Sequence, residues 1–254
     1  QRLSPGLSGR ILEEIMTNNL EMVIGLHRRL DLIRQVSIFR HLPDNILLDL
    51  SRRMTIKRWV GGALIVAQHE VDSSLFIIYA GRAKVALFGD NGREMTLSVL
   101  GAGDFFGEMS LVDKKPRSAN VVALDDSILL ILDREAFLDH LKAHPETAMA
   151  LLGVMTQRLR QSDEMIANLA LHDVQSRLVR TLVALAEETG EPHDEGMIIR
   201  YRPTQQDLAN MVGTCRETVS RALSAMARRG QVVSRGRTLL LRHTLVEQAR
   251  RQAA

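Results

Sequence analysis

The chain has 254 residues, 25% of them charged and 45% hydrophobic, a composition that suits two folded domains and argues against general disorder. Its single cysteine, Cys215, excludes an internal disulfide and a four-thiolate iron–sulfur cluster held by one chain, and no apolar run nears the roughly 18 residues of a membrane span. Net charge is only +3, yet from Gly196 onward eleven arginines face Asp207, Glu217 and Glu247, a local +8 that leaves −5 on the remainder. A basic end on an acidic body suits a nucleic-acid reader with a separate sensor. No signal-peptide pattern is visible, so a cytoplasmic location is expected.

Ser8 to about Gln35 reads as helix, with Ile11, Ile15, Met22, Leu26, Leu30 and Ile33 recurring at helical spacings. It is either a dimer-stabilising or partner-binding helix or an amphipathic helix packed on its own domain. From Val36 to about Leu132 the pattern becomes short β-type runs separated by glycine turns. The clearest are 56–60, 64–66, 75–79, 83–88, 95–100 and 119–124, with a hairpin signal at Asp90-Asn91-Gly92. Many short strands at regular spacing predict a sandwich or jelly roll.

Within this region Gly103-Asp104-Phe105-Phe106-Gly107-Glu108-Met109-Ser110-Leu111-Val112 precedes Pro116-Arg117-Ser118-Ala119. A short helix from near Glu108 would aim backbone N–H groups at an anion, with Arg117 as a charge-assisted partner and Glu108 as acceptor for a ribose hydroxyl. The alternative is a structural Glu108–Arg117 ion pair in a roll that binds nothing.

After a turn at His144-Pro145 a long helix is expected to Leu171. Ala148, Leu152, Met155, Leu159, Ser162, Ile166 and Leu169 follow spacings of 4, 3, 4, 3, 4 and 3, the seam of a two-helix coiled coil and hence of a homodimer. Ser162 is the polar position in it and serves either to fix register or to face a ligand. Asp173–Glu188 reads as a further amphipathic helix with Leu178, Leu182 and Leu185 inward, and 187–196 as an acidic, turn-rich loop.

The stretch from Pro203 to Leu223 carries the most specific signal. Pro203-Thr204 starts a helix that Gly213 stops, and a second helix follows at once with Val219, Leu223 and Met226 inward. Arg216, Glu217, Ser220 and Arg221 then share the outer face. A helix-turn-helix sets the start of its second helix in the major groove, where Arg can fork onto guanine and Glu can accept from cytosine. The competing possibility is a surface helix whose Glu217 and Arg221 pair with each other. The following Val232–Leu241 segment looks like a hairpin wing. Candidate DNA-contacting residues are Thr204, Gln206, Thr214, Cys215, Arg216, Glu217, Thr218, Ser220, Arg221 and Arg235.

The RETVSRALSAM core and the RGRTLLL wing resemble the C-terminal domain of the cyclic-AMP receptor protein and FNR family of bacterial transcription regulators, and the likeness runs from about Val36 to the wing. It implies an α+β chain: an N-terminal cyclic-nucleotide-binding-like β-roll (jelly roll), a long dimerisation helix and a C-terminal winged helix-turn-helix. The expected boundaries are an N-terminal helical extension over 1–35, the roll over 36–142, the dimerisation helix over 143–172 and the DNA-binding domain over 173–254. FGEMSL…PRSA is similar to the family's phosphate-binding cassette, which assigns Gly107, Glu108, Arg117 and Ser118 to a ribose-phosphate. Ser162 aligns with a Thr that contacts adenine in cyclic-AMP-responsive relatives. Asp163 stands where those relatives have a Ser reaching the base from across the dimer, a departure from the pattern. The expected ligand is a cyclic mono- or dinucleotide, with a guanine base favoured by Asp163 and an unliganded, constitutively competent dimer as the alternative. The expected partners are double-stranded DNA, a second copy of the chain and, through the 187–196 loop, RNA polymerase.

His140 and His144 have the i,i+4 spacing of a metal pair but no third ligand nearby. No nucleophile-elbow, Walker or His-Glu-x-x-His pattern appears, so the protein is not expected to be an enzyme. A cyclic-nucleotide-sensing subunit acting on a protein partner would explain the roll equally well, but not Arg216, Glu217 and Arg221 behind the Gly213 turn.

Overall fold

The computed structural model describes residues 25–90 and 92–253. The chain divides into two compact units, Gln1–Leu87 with Ser98–Arg158 and Phe88–Leu97 with Leu159–Ala254. Most of the helix expected over Ser8–Gln35, and Asn91 of the expected hairpin turn, lie outside the described residues.

The first unit opens with helices α1 (Leu26–Ile33) and α2 (Asp44–Arg52). Strands β1 (Thr55–Trp59), β2 (Leu64–Val66), β3 (Ser74–Ala80), β4 (Ala83–Phe88), β5 (Glu94–Leu100) and β6 (Phe105–Phe106) follow. Then come α3 (Glu108–Asp113), β7 (Asn120–Ala123), β8 (Ser127–Asp133) and α4 (Arg134–Ala143). Two four-stranded sheets result, ordered β1-β8-β3-β6 and β2-β7-β4-β5, which is the expected roll.

Strands β3 and β8 form the wall between two cores. Side chains alternate along a strand, so Leu75 and Ile77 of β3 join Leu130 and Leu132 of β8 in one cluster with Phe39, Leu47 and Phe137 from the helices. Phe76, Ile78 and Leu129 face the other way, among Val66, Phe106 and Val121. Phe39 and Phe137 are fully buried, and burial of such a side chain contributes roughly 1.5–3 kcal/mol.

Two elements between Val36 and Leu132 were not among the expected short runs. Asp44–Arg52 is a helix that buries Leu47 and Leu50. Strand β8 had no separate place in the sequence pattern, yet it pairs with both β1 and β3. Its apolar run lacks alternation because both faces are covered.

His140 lies in the first core. Its ring meets Phe39 edge-on at 5.6 Å and His144 at 4.8 Å, and its Nε2 is 3.2 Å from Thr147 Oγ1. Burial, reinforced by the neighbouring His144, pushes the imidazole pKa down to about 4. A histidine depressed in the folded state adds stability above its unfolded pKa near 6.5 and loses it as pH falls toward 4. Urea unfolding should therefore show on the order of 2–3 kcal/mol lost over that window, and His140→Gln should flatten this part of the pH profile. Among the described residues no group of three or more His, Cys, Asp or Glu side chains is placed to hold a metal ion.

The long helix α5 (Pro145–Leu171) follows. In the second unit come α6 (Val174–Thr189), β9 (Glu191–His193), β10 (Gly196–Ile199), α7 (Gln205–Val212) and α8 (Arg216–Arg228). The chain closes with β11 (Val232–Arg235), β12 (Thr238–Arg242) and α9 (His243–Ala253). The sheet order is β11-β12-β10-β9. Its core joins Leu178 and Leu182 of α6 to Leu208, Val212, Val219, Leu223, Met226, Leu239 and Leu241. The 187–196 segment is not a loop, as its pattern suggested. It contains β9, paired with β10, and its Glu191 and Glu195 are tied to Arg200 and Arg242 at 2.6 and 2.7 Å. Among the described residues no helix is long and apolar enough to cross a membrane.

Candidate nucleic-acid interface and ligand cassette

Helix α7 begins with a capping box. Thr204 Oγ1 accepts from the Asp207 N–H at 3.1 Å while the Asp207 carboxylate accepts from the Thr204 N–H at 3.0 Å, so two otherwise orphaned donors are satisfied. Gly213 ends the helix at φ 66°, in the left-handed region. Arg177 donates to the Val212 carbonyl at 2.9 Å and to the His172 carbonyl at 2.8 Å, clamping the end of α7 to the entry of α6.

Helix α8 starts three residues after Gly213, with Cys215 at its N-cap and its Sγ 3.1 Å from Thr218 Oγ1. Val219, Leu223 and Met226 are buried, as their spacing required. Arg216, Glu217 and Arg221 are exposed and Ser220 half-exposed on the opposite side. Among the described residues no ion pair joins these three charges; Arg221 donates instead to Thr218 Oγ1 at 3.3 Å. That removes the competing possibility of a Glu217–Arg221 surface pair. The Glu217 carboxyl is held below its usual range by its own backbone N–H, by Cys215 and by Arg216 and Arg221 nearby, so it is an acceptor. Thr204 and Gln206 lie in the first turn of α7 with Gln206 donating to Asn210 at 2.9 Å, Thr214 lies in the turn, and exposed Arg235 ends β11 at the wing.

The first unit holds the cassette. Gly107 stands at φ 89° ahead of α3, and a Cβ there would run into Arg117 Nη1 and, at 2.6 Å, the Ser74 carbonyl. Only glycine lets the chain pass this close to the guanidinium. Glu108 and Arg117 are each 4% exposed, but they do not pair with each other. Glu108 Oε1 accepts from Arg158 of α5 at 2.8 Å, and Arg158 also donates to the Phe105 carbonyl at 2.7 Å. Glu108 Oε2 is buried without a partner. Arg117 meets Asp72 at 2.6 Å, the Ser74 and Gly107 carbonyls, and Ser110 Oγ. Ser118 is exposed, its hydroxyl 3.6 Å from Met109 Sδ. Ser162 and Asp163 are exposed on α5 in the second unit. Asp72 and Arg158 carried no sequence signal, being 45 and 50 residues from their partners.

Three apolar seam positions of α5 are open in the single chain: Leu152 is 58% exposed, Leu159 62% and Ile166 64%, whereas Leu151 on the adjoining face is buried.

Residues 56–144 match the model of the cyclic nucleotide-binding domain, and 176–247 that of the Crp-like helix-turn-helix domain. The two in one chain define a DNA-binding transcription regulator with a cyclic nucleotide-binding domain. The chain is 34% identical to the cyclic AMP receptor protein of Thermus thermophilus over 193 residues, 75% of this chain and 84% of that one. It is 28% identical to the CRP-like cAMP-activated global transcriptional regulator of Mycobacterium tuberculosis over 211 residues, 83% of this chain and 94% of that one. The fold is that of the c-di-GMP responsive global regulator CLP of Xanthomonas campestris, with TM-score 0.70 at 24% identity, covering 79% of this chain and 99% of that one. The protein belongs to the cyclic-AMP receptor protein and FNR family of bacterial transcription regulators.

Proposed function

We propose that the protein acts as a homodimer that reads an inverted repeat in duplex DNA with α8, and that a cyclic nucleotide seated on Gly107, Glu108, Arg117 and Ser118 controls it. The working division is an extension over 1–35, a roll over 36–142, a dimerisation helix over 143–172 and a DNA-binding domain over 173–254. The observation that carries the ligand is Glu108 Oε2, a buried carboxylate oxygen without a donor. Such an atom costs roughly 1–3 kcal/mol unless something donates to it, and a ribose hydroxyl does so. The same cassette carries the cationic Arg117 for a phosphate.

Half-site centres are expected about one helical turn, roughly 34–36 Å, apart, each with a TGTGA-like core. The base is set by Ser162 and Asp163. A carboxylate only accepts hydrogen bonds, so Asp163 suits the N1–H and N2–H₂ edge of guanine, whereas the Mycobacterium and Thermus relatives are named for cyclic AMP. RNA polymerase is the proposed further partner, through the 187–196 segment. A role as a regulatory subunit for another protein is not favoured, because it leaves the unpaired charged face of α8 without a use. No catalytic role is assigned.

Selection of duplexes from a random pool, with and without cyclic AMP, cyclic GMP and cyclic di-GMP, tests the reading. An inverted repeat should emerge, and one nucleotide should raise its recovery. Equal recovery without nucleotide supports the constitutive alternative, and failure to enrich any duplex rejects DNA reading.

A further inference from the structure

Arginine has five N–H donors, and the roll already uses four of those on Arg117. Nη1 donates to the Gly107 carbonyl at 2.7 Å and to Ser110 Oγ at 2.8 Å; Nη2 donates to Asp72 Oδ2 at 2.6 Å and to the Ser74 carbonyl at 2.8 Å. Nε is buried without a partner. A phosphate is gripped by two parallel N–H groups, and Nε alone cannot form that fork.

Three of the four acceptors are fixed. The Gly107 carbonyl belongs to the left-handed turn, the Ser74 carbonyl to β3, and Ser110 sits in α3 with its hydroxyl 3.2 Å from the Gly107 carbonyl. Asp72 is different, being the charged acceptor and lying in the 67–73 connection between β2 and β3. Its side chain is 34% exposed against 3% for Arg117, so it has solvent to turn into. Its Oδ1 accepts from the Ser73 N–H at 2.6 Å and the Ser74 hydroxyl at 3.2 Å, which aims Oδ2 at the guanidinium. Nε and Nη2 lie on one edge of the guanidinium. Release of Asp72 therefore frees an N–H on Nη2 beside the unpartnered Nε–H and restores the fork.

We propose that Asp72 is a built-in counter-anion of Arg117, standing where the phosphate of a cyclic nucleotide binds, so that ligand and carboxylate exchange on one guanidinium. Two anions cannot share that edge without repulsion. Asp72 thus sets the ligand concentration at which the cassette fills. This inference rests on the cassette being a ribose-phosphate site.

Calorimetric titration of the full chain with cyclic AMP, cyclic GMP and cyclic di-GMP tests it, comparing wild type, Asp72→Asn, and Asp72→Asn combined with Arg117→Gln. Removing the competing charge should tighten binding about tenfold or more, and the gain should vanish when Arg117 is also replaced. A side chain that merely props up the cassette would weaken binding when changed, so the sign separates the two roles. Affinity unchanged within about threefold, or lowered, in Asp72→Asn would overturn the counter-anion while leaving the nucleotide site intact. Absence of binding in both wild type and Asp72→Asn would overturn the nucleotide site and the counter-anion with it; binding by Asp72→Asn alone would support both. If Asp72→Asn does not fold by circular dichroism, Asp72→Ala provides the same comparison.

Discussion

Leu159→Lys should convert the protein to monomers in sedimentation and lower its affinity for an inverted repeat by on the order of 10²- to 10⁴-fold, the avidity that two linked half-site contacts provide. Leu159 is 62% exposed on α5, in line with Leu152 and Ile166. Seven seam positions at alternating fours and threes specify a left-handed two-helix contact, and a lysine in its centre places a charge against its own symmetry mate. Core packing of the roll should survive, because Leu151 and Thr147, which face it, are untouched. An unchanged dimer in sedimentation would remove α5 as the dimer helix.

Glu217→Ala should cost about 1–3 kcal/mol, roughly 5- to 150-fold, at one base pair of the site, and relax the selected preference there while leaving other positions intact. The carboxyl sits in the first turn of α8, is exposed, and is kept ionised by its own N–H and by Cys215, Arg216 and Arg221. Ionised, a carboxylate there is suited to accept from cytosine N4 and to reject a base that offers only acceptors. Arg216→Ala and Arg221→Ala remove positive charge as well, so their effects should also reduce the salt dependence of binding. A selected sequence unaltered by Glu217→Ala would mean that α8 does not read bases.

The parts legible in the sequence are those built from local rules. Pro203-Thr204 and Gly213 mark the two ends of α7, and Val219, Leu223 and Met226 fix the inward face of α8 by spacing alone. The cassette from Gly107 to Ser118 is likewise one short stretch. What was hidden depends on distant contacts. Glu108 and Arg117 look like a pair to each other, but Arg158 and Asp72 take them separately, and nothing local announces either partner. Strand β8 was hidden for another reason: covered on both faces, it shows no alternation. The turn-rich composition of 187–196 concealed β9, whose residues are all exposed and whose place is fixed by pairing with β10.

The partition formed by β3 and β8 limits where this protein can change. Each of those strands presents one set of side chains to either core, so a new side chain that suits one chamber is tested at the same moment by repacking in the strand's other neighbours. The 67–73 connection hangs off this partition with no buried side chain and carries few such obligations, whereas Gly107, Glu108, Leu111 and Arg117 are as constrained as the partition itself. Adaptation to a different chemical signal can therefore accumulate in that connection at little cost to folding, while the partition stays as it is.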